Sequence, residues 1–242
     1  IKGISKDPSI VKNRLHKLVC DRELLVKMVA YATTKDMEWL SILMVVSYAF
    51  QFRVFSEFFK VKMSDIVFED ETGHPTMQGP PGRQTCTIWL NGRKNRPERH
   101  PLKRTCTCGR HDNAGPGVMT CAVHRLYWFL KTDPLYSLYC QGRIADNTLL
   151  SELPLSMVNS SLKKVAEKVG DVHCARAASH GFRRGAACDM ARLGRPLSEI
   201  LIGGDWRSSA FRTYLESVQD DLNSRSIVQL LGDVSASDNE GD

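Results

Sequence analysis

The residues best suited to chemistry in this sequence are a tyrosine late in the chain and several basic side chains far apart from one another. In chain order, the candidates are Arg53, Lys94, His180, Arg183, Trp206 and Tyr214. A phenolic hydroxyl has a pKa near 10, so it needs a cationic pocket or a base to become a nucleophile. Guanidinium groups bind phosphate oxygens through paired, charge-assisted hydrogen bonds. The combination indicates attack of a tyrosine on a phosphodiester.

Arg53, His180 and Arg183 would act on the phosphate itself. The two arginines would hold its non-bridging oxygens in line with Tyr214 and stabilise the negative charge that builds up during attack. His180 would accept the phenolic proton or donate a hydrogen bond to the phosphate. Because His180 and Arg183 are three residues apart, a helix would present both side chains on one face.

Lys94 and Trp206 complete the candidate set. Lys94 lies in the basic stretch Gly-Arg-Lys-Asn-Arg-Pro, where Arg93 and Arg96 are rivals for its role. Its ammonium would protonate the departing 5′ hydroxyl. Trp206 would pack beside the phosphate and offer its indole N–H. Glu57, which closes the stretch Arg-Val-Phe-Ser-Glu, is expected to be a structural partner of a cation or a helix end and not a catalyst.

Each of these residues also has an ordinary structural interpretation. A single arginine is most often a surface charge, and a tyrosine at the end of a helix usually packs against its neighbours. A His-x-x-Arg sequence occurs by chance in many proteins. The functional interpretation therefore depends on the joint occurrence of all the candidates in one order.

In this order the candidates resemble the active site of the tyrosine recombinase and integrase family. The family pattern is an Arg in an Arg-x-x-Ser-Glu context, a Lys in a β-hairpin, His-x-x-Arg, a His or Trp, and a Tyr. The resemblance covers roughly residues 20–225. The stretch Gly-Asp-Trp-Arg-Ser-Ser-Ala-Phe around Trp206 is most similar to that of eukaryotic mobile-element recombinases such as the cryptons.

The resemblance implies a site-specific recombinase or integrase that cleaves and rejoins double-stranded DNA through a 3′-phosphotyrosine intermediate. It implies an assembly of protomers on DNA and no cofactor for catalysis, neither metal nor nucleotide. One departure is that Tyr214 follows Trp206 by eight residues, where many bacterial members have nine. Three alternatives stay open: a DNA-binding protein that keeps the fold without the reaction, a DNA-relaxing topoisomerase of the tyrosine class, and a zinc-stabilised interaction module.

Three cysteines and a histidine in the middle of the chain are candidate metal ligands. They form the pairs Cys106-Thr-Cys108 and Cys121-Ala-Val-His124, and His111 between the pairs is a spare candidate. Structural zinc sites take four such ligands in a tetrahedron. Cys-x-Cys is shorter than the usual spacing, so the alternative is a set of unrelated thiols buried as small hydrophobic side chains. A structural zinc here would clamp the segment after the basic hairpin onto the following helix.

Composition and charge are consistent with an intracellular protein that binds a polyanion. The 242 residues carry a net charge of +6, and the last ten alone hold four acids and no base. A basic body favours nucleic acid as a partner, although charge alone is a weak indication. The best apolar run, residues 40–50, is about half as long as a membrane span, so no membrane partner is expected. Without a secretory signal, the cysteines are expected to be reduced in an intracellular protein, nuclear if the cell is eukaryotic.

The hydrophobic pattern predicts an α+β domain, mainly α-helical, with a small antiparallel sheet. Two helices are expected in the first fifty residues, one from Arg22 to Thr33 capped by Asp21 and one capped by Asp36 that reaches about Phe50. Later helices are expected from Cys121 through Leu130, at Ser156 to Val169, at Ser179 to Leu193 and at Leu197 to Ile202. Strands are expected at Ile66 to Phe68, Thr85 to Leu90, and Arg99 to Leu102. The pair Gly203 and Gly204 is expected to break the helix that precedes it.

Three segments follow from this pattern. Residues 1–20 are polar and basic and are interpreted as a linker from an upstream domain, since the sequence begins with Ile and not Met. Residues 21–232 form the predicted catalytic domain of the tyrosine recombinase type. Residues 233–242 are an acidic tail that is too polar to pack and is expected to be disordered.

Overall fold

The part of the chain that the structure describes contains seven α-helices, two single-turn 3-10 helices (Phe58–Lys60 and Met63–Asp65) and three strands. The computed structural model describes residues 19–76, 84–93, 96–106, 108, 120–145, 148–150, 154–171 and 177–206. Its helices are α1 (Arg22–Thr34), α2 (Glu38–Ala49), α3 (Ala122–Thr132), α4 (Pro134–Cys140), α5 (Leu155–Lys168), α6 (His180–Arg192) and α7 (Leu197–Gly204). Its strands are β1 (Ile66–Glu69), β2 (Thr85–Arg93) and β3 (Arg96–Thr105). The predicted class, mainly helical α+β with a small antiparallel sheet, is confirmed.

The two N-terminal helices begin in different ways. The carboxylate of Asp21 accepts a hydrogen bond from the N–H of Leu24 at 3.0 Å, so the predicted cap of α1 is confirmed. The prediction that Asp36 caps α2 is wrong, because its φ is 54° and Met37 precedes the first turn. The link between the helices is so tight that the N–H groups of residues 35–37 donate to carbonyls at the end of α1. Asp36 supplies the left-handed residue that this reversal needs.

Helix α2 is the centre of the core. Its residues 40–47 are all buried, and it packs against α1, α3 and α6. A helix that is apolar on every side is stable only when neighbours surround it. Its C-terminal end is therefore inside the protein, and residues 50–52, which follow it, are also buried.

The strands form an antiparallel sheet in the order β1–β2–β3. The hairpin between β2 and β3 is longer than predicted and closes tightly, with Arg93 opposite Arg96. Ile88 and Leu90 face the core, and a bulge between Asn91 and Arg93 shifts the alternation of the strand by one residue. Arg93 consequently faces inward and is buried, whereas Arg96 is exposed.

Helix α6 packs closely on the segment that precedes α1. The N–H of Cys20 donates to the carbonyl of Gly181 at 3.1 Å, and a Cβ on Gly185 would overlap the carbonyl oxygen of Cys20. The last residue of the predicted linker is thus part of the packed body. Helix α7 includes both residues of the glycine pair that was expected to break it and ends at Gly204, where Asp205 caps it with a left-handed φ of 50°.

Some predictions lie outside the described residues. These are residues 1–18 of the predicted linker, residues 207–232 of the predicted catalytic domain, the acidic tail 233–242, the spare metal-ligand candidate His111, and two of the candidate catalytic residues, Lys94 and Tyr214. Of the helices that the structure describes, none has both the length and the apolar character that a bilayer crossing requires.

Candidate functional site

The C-terminal end of α2 gathers three arginine side chains. The last carbonyls of a helix have no partner within the helix and form the negative end of its dipole. Nε of Arg104 donates to the carbonyl of Ala49 at 2.7 Å, and Nη1 of Arg183 donates to that of Gln51 at 2.9 Å. Nη2 of Arg93 also lies 3.5 Å from the carbonyl oxygen of Gln51. Because α2 is buried, its end brings these cations together inside the protein.

Glu57 is the carboxylate on which Arg53, Arg93 and Arg183 converge; we call these three residues the arginine cluster. Nη1 of Arg53 lies 2.7 Å from Oε1, Nη2 of Arg93 lies 3.2 Å from Oε2, and Nη1 of Arg183 lies 3.9 Å from the same Oε2. The backbone N–H of Arg53 donates to Oε2 at 2.9 Å. Glu57 is thereby a structural partner of cations, which is the role expected of it from the sequence. Arg53, with 17% of its side chain exposed, is the most accessible member.

The arginine cluster carries more positive charge than its acidic neighbours balance. Burial, followed by the charge of Arg53, lowers the pKa of Arg183 to about 9. The opposing carboxylates are those of Glu57 and Asp205, two negative charges against three guanidiniums. Burial is also the main cause that lowers the pKa of Arg93. Buried charges of one sign are unfavourable until an opposite charge joins them, so the cluster is suited to binding an anion.

Trp206 lies against one face of Arg183. Cζ of Arg183 is 4.6 Å from the centre of the indole ring, which is the geometry of a cation–π contact. Nη2 of Arg183 donates to the carbonyl of Gly204, and a Cβ on Gly204 would overlap the indole ring. A glycine is therefore needed at this position for the ring to fold back over the end of α7.

Of the remaining candidates, the structure describes His180 and Arg96 but neither Lys94 nor Tyr214. His180 is the first residue of α6 and is exposed, and Arg183 follows it on the same helix. Arg96, one rival of Lys94, is exposed and pairs with Glu98, with 3.0 Å between Nε and Oε1. Lys94 and Tyr214 lie outside the described residues. The structure thus brings together Arg53, Arg183 and Trp206.

Arg93, which the sequence offers only as a rival of Lys94, is a member of the cluster that the sequence pattern does not indicate. A regular strand would place the residue after Gly92 on the outer face, since Ile88 and Leu90 point inward. The glycine, whose φ is 96°, is the available signal of the bulge that turns Arg93 inward. A bulge of this kind is specified by the pairing of two strands, which the local sequence does not show.

The four candidate metal ligands form a second cluster, buried except for the half-buried Cys108. Sγ of Cys106, Cys108 and Cys121 and a ring nitrogen of His124 all lie within 4.8 Å of one another. Cys106 follows the end of β3, Cys121 directly precedes α3, and His124 is in the first turn of that helix. The three cysteines are free thiols. The cluster could bind a metal ion such as zinc, which bears out the predicted set of residues.

Comparison with known proteins adds no family to this description. No protein-family model matches the chain, and no curated protein matches it.

Proposed function

We propose that this chain is the catalytic domain of a tyrosine recombinase or integrase, which cleaves and rejoins double-stranded DNA. The observation that carries the proposal is that Arg53 and Arg183, 130 residues apart in sequence, contact the same buried carboxylate of Glu57. A further contact places Trp206 on Arg183. Two guanidiniums and an indole N–H in one place suit a tetrahedral phosphate, whose oxygens accept several charge-assisted hydrogen bonds. The arrangement fits the family that the sequence resembles.

In the proposed reaction, the phenolic oxygen of Tyr214 attacks the phosphorus and the bond to the 5′ oxygen breaks. His180 accepts the phenolic proton, and the ammonium of Lys94 donates a proton to the departing 5′ oxygen. Arg53 and Arg183 stabilise the charge on the non-bridging oxygens. The products are a 3′-phosphotyrosine and a free 5′ hydroxyl. Attack by a 5′ hydroxyl reverses the step, so the ester energy is conserved in the covalent bond.

Arg93 has a positioning role in this proposal. Its side chain is only 1% exposed and contacts Glu57, which in turn holds Arg53. In this proposal its guanidinium orients the other two through Glu57 and is not placed at the leaving group. The protonation of the 5′ oxygen is therefore assigned to Lys94. The Cys/His cluster has no part in the reaction.

The proposed partner is duplex DNA, with several protomers assembled on it and, in a eukaryotic cell, a nuclear location. The resemblance of the stretch around Trp206 to that of crypton-type recombinases makes a mobile element the proposed context. Lysine and arginine contacts to phosphates release counterions, so the affinity for DNA should fall steeply with salt.

A DNA-binding protein without the reaction would show the same salt dependence but form no covalent adduct. A topoisomerase would relax supercoiled plasmid without a defined site.

A nicked suicide substrate tests the proposal. Nicks placed in a random-sequence duplex library trap the covalent intermediate, because the short cleaved strand diffuses away before it can be rejoined. We expect a protein–DNA adduct with the wild type, none with Tyr214→Phe, and an undiminished yield with the matched control Tyr31→Phe, which changes a tyrosine of α1. An adduct that survives Tyr214→Phe would refute the assignment of the nucleophile. Salt-dependent binding without any adduct would favour the inactive DNA-binding protein.

A further inference from the structure

We propose that Cys106, Cys108, Cys121 and His124 hold one structural zinc ion through three thiolate sulfurs and Nδ1 of the imidazole. The inference is independent of the proposed function. It depends on the geometry of the cluster, on the charges around it and on the two backbone segments that it joins.

The distances between the ligand atoms match the edges of a small coordination tetrahedron. Zn–S bonds of about 2.3 Å and Zn–N bonds of about 2.0 Å require edges of roughly 3.5 to 3.8 Å. Sγ of Cys121 lies 3.7 Å from Sγ of Cys106 and 3.4 Å from Nδ1 of His124. Three further edges are shorter than these values: 3.1 Å from Cys106 to Cys108, and 3.2 and 3.0 Å from these two sulfurs to Nδ1. The two sulfur–sulfur distances among these, 3.1 and 3.7 Å, are too long for a disulfide, whose bond is about 2.0 Å.

The charges around the cluster suit a metal site whose net charge is negative. Cys121 directly precedes α3, so its sulfur lies at the positive end of the helix dipole. A cavity of about 330 Å³ beside the cluster is lined by Cys108, Cys121 and the basic residues Arg22 and Arg104. Three thiolates, a neutral imidazole and Zn²⁺ carry one net negative charge. Arg22 and Arg104 supply positive charge on the side of the cavity, where they would balance the negative charge of the zinc site.

The types and number of the ligands favour zinc over other metals and a structural over a catalytic site. Soft sulfur and imidazole ligands in a tetrahedron are the preferred set of Zn²⁺, and hard ions such as Mg²⁺ or Ca²⁺ prefer oxygen. Four protein ligands leave no position for a substrate or a water, which is the arrangement of a structural site. The ion would tie the end of β3 to the start of α3. Two residues before Cys106, Arg104 donates to the end of α2, so the ion would also anchor the strand that reaches the arginine cluster.

Metal content and cobalt substitution test the inference on the intact 242-residue chain. The purified wild type should contain about one zinc per chain, because a preformed set of four ligands binds it tightly. Cobalt(II) added to metal-free protein should give the intense visible absorption of a tetrahedral thiolate site, and zinc should abolish it. Cys121→Ser should lose most of the zinc, whereas Cys140→Ser, a change of an exposed cysteine outside the cluster, should keep all of it.

The cobalt spectrum of the wild type keeps the inference testable if Cys121→Ser does not fold. Less than about half an equivalent of zinc in the wild type, together with an octahedral cobalt spectrum or none, would overturn the inference, given the affinity expected of such a site. Stoichiometric binding of another metal in preference to zinc would overturn the choice of metal. Neither readout involves DNA, so a failure of this inference is distinguishable from a failure of the proposed recombinase activity.

Discussion

Arg93 and Glu57 form an ion pair in which Nη2 lies 3.2 Å from Oε2 and each side chain is only 1% exposed. The pair joins the hairpin of β2 and β3 to the segment that follows α2, because Glu57 also binds Arg53. Its partners lie 36 residues apart. A buried carboxylate that holds cations from separate elements fixes the positions of all of them.

Replacing Arg93 should be far more harmful than replacing its neighbour across the hairpin. Arg93→Gln leaves buried oxygens of Glu57 and of the end of α2 short of a donor, which should lower the free energy of unfolding by about 1–3 kcal/mol. Arg96→Gln removes only an exposed pair and should not change it measurably. Urea denaturation of both variants checks the difference. Equal stability of the two would contradict the role given to Arg93.

Glu57→Gln should destabilise the protein and make it depend on added anions. Without the carboxylate, three guanidiniums repel one another in a buried place, and the free energy of unfolding should fall by about 3–5 kcal/mol. Inorganic phosphate should then raise the melting temperature of the variant more than that of the wild type, since an anion bound to the folded state replaces the lost charge. Calorimetry with phosphate, and with chloride at equal ionic strength as the control, measures the effect. A phosphate effect no larger than that of chloride would argue against an anion site.

Gly204→Ala should impair the site through Trp206. The new methyl group would occupy the position of the indole ring, so the ring must leave the face of Arg183. We expect the yield of covalent adduct to fall about tenfold or more, because displacing a packed side chain costs roughly 1–3 kcal/mol. Gly203→Ala is the matched control, since its Cβ would meet only the side-chain end of Gln51 at 3.0 Å. Similar losses in both variants would show that the helix end, and not the ring, is what matters.

DNA binding should weaken as the pH rises through about 9. The lowered pKa of Arg183 means that its charge is complete well below this pH and is lost above it, whereas an ordinary arginine stays charged. The titration should use Tyr214→Phe, so that no covalent product forms, with fluorescence anisotropy at constant ionic strength. Arg183→Gln should bind more weakly at pH 7 and show no such decline. A decline of equal size in that variant would assign the titration to other groups.

The sequence predicts the local features of this protein well. The apolar periodicity places α1, α5 and α6 and all three strands, because side chains facing a core recur with the period of their element. The cap at Asp21 is local in the same sense. Helix α4 was not predicted, although Asp133 and Pro134 are a recognisable start signal and Asp133 does cap it. The glycine pair was expected to end α7 earlier than it does. Gly204 is instead its last residue, where a glycine leaves the space that the indole ring of Trp206 occupies.

What the sequence alone determined is an inventory: which residue types are present, in what order, and on which kind of element they lie. It supplied Arg53, Arg183 and Trp206 as candidates, and the four Cys and His residues as one candidate ligand set. Only the tertiary structure decided that Glu57 binds three guanidiniums and that the bulge of β2 turns Arg93 inward. These contacts join residues far apart along the chain. They form where the buried segment after α2 brings Glu57 and the carbonyl of Gln51 within reach of distant guanidiniums, and local sequence patterns do not encode such pairings.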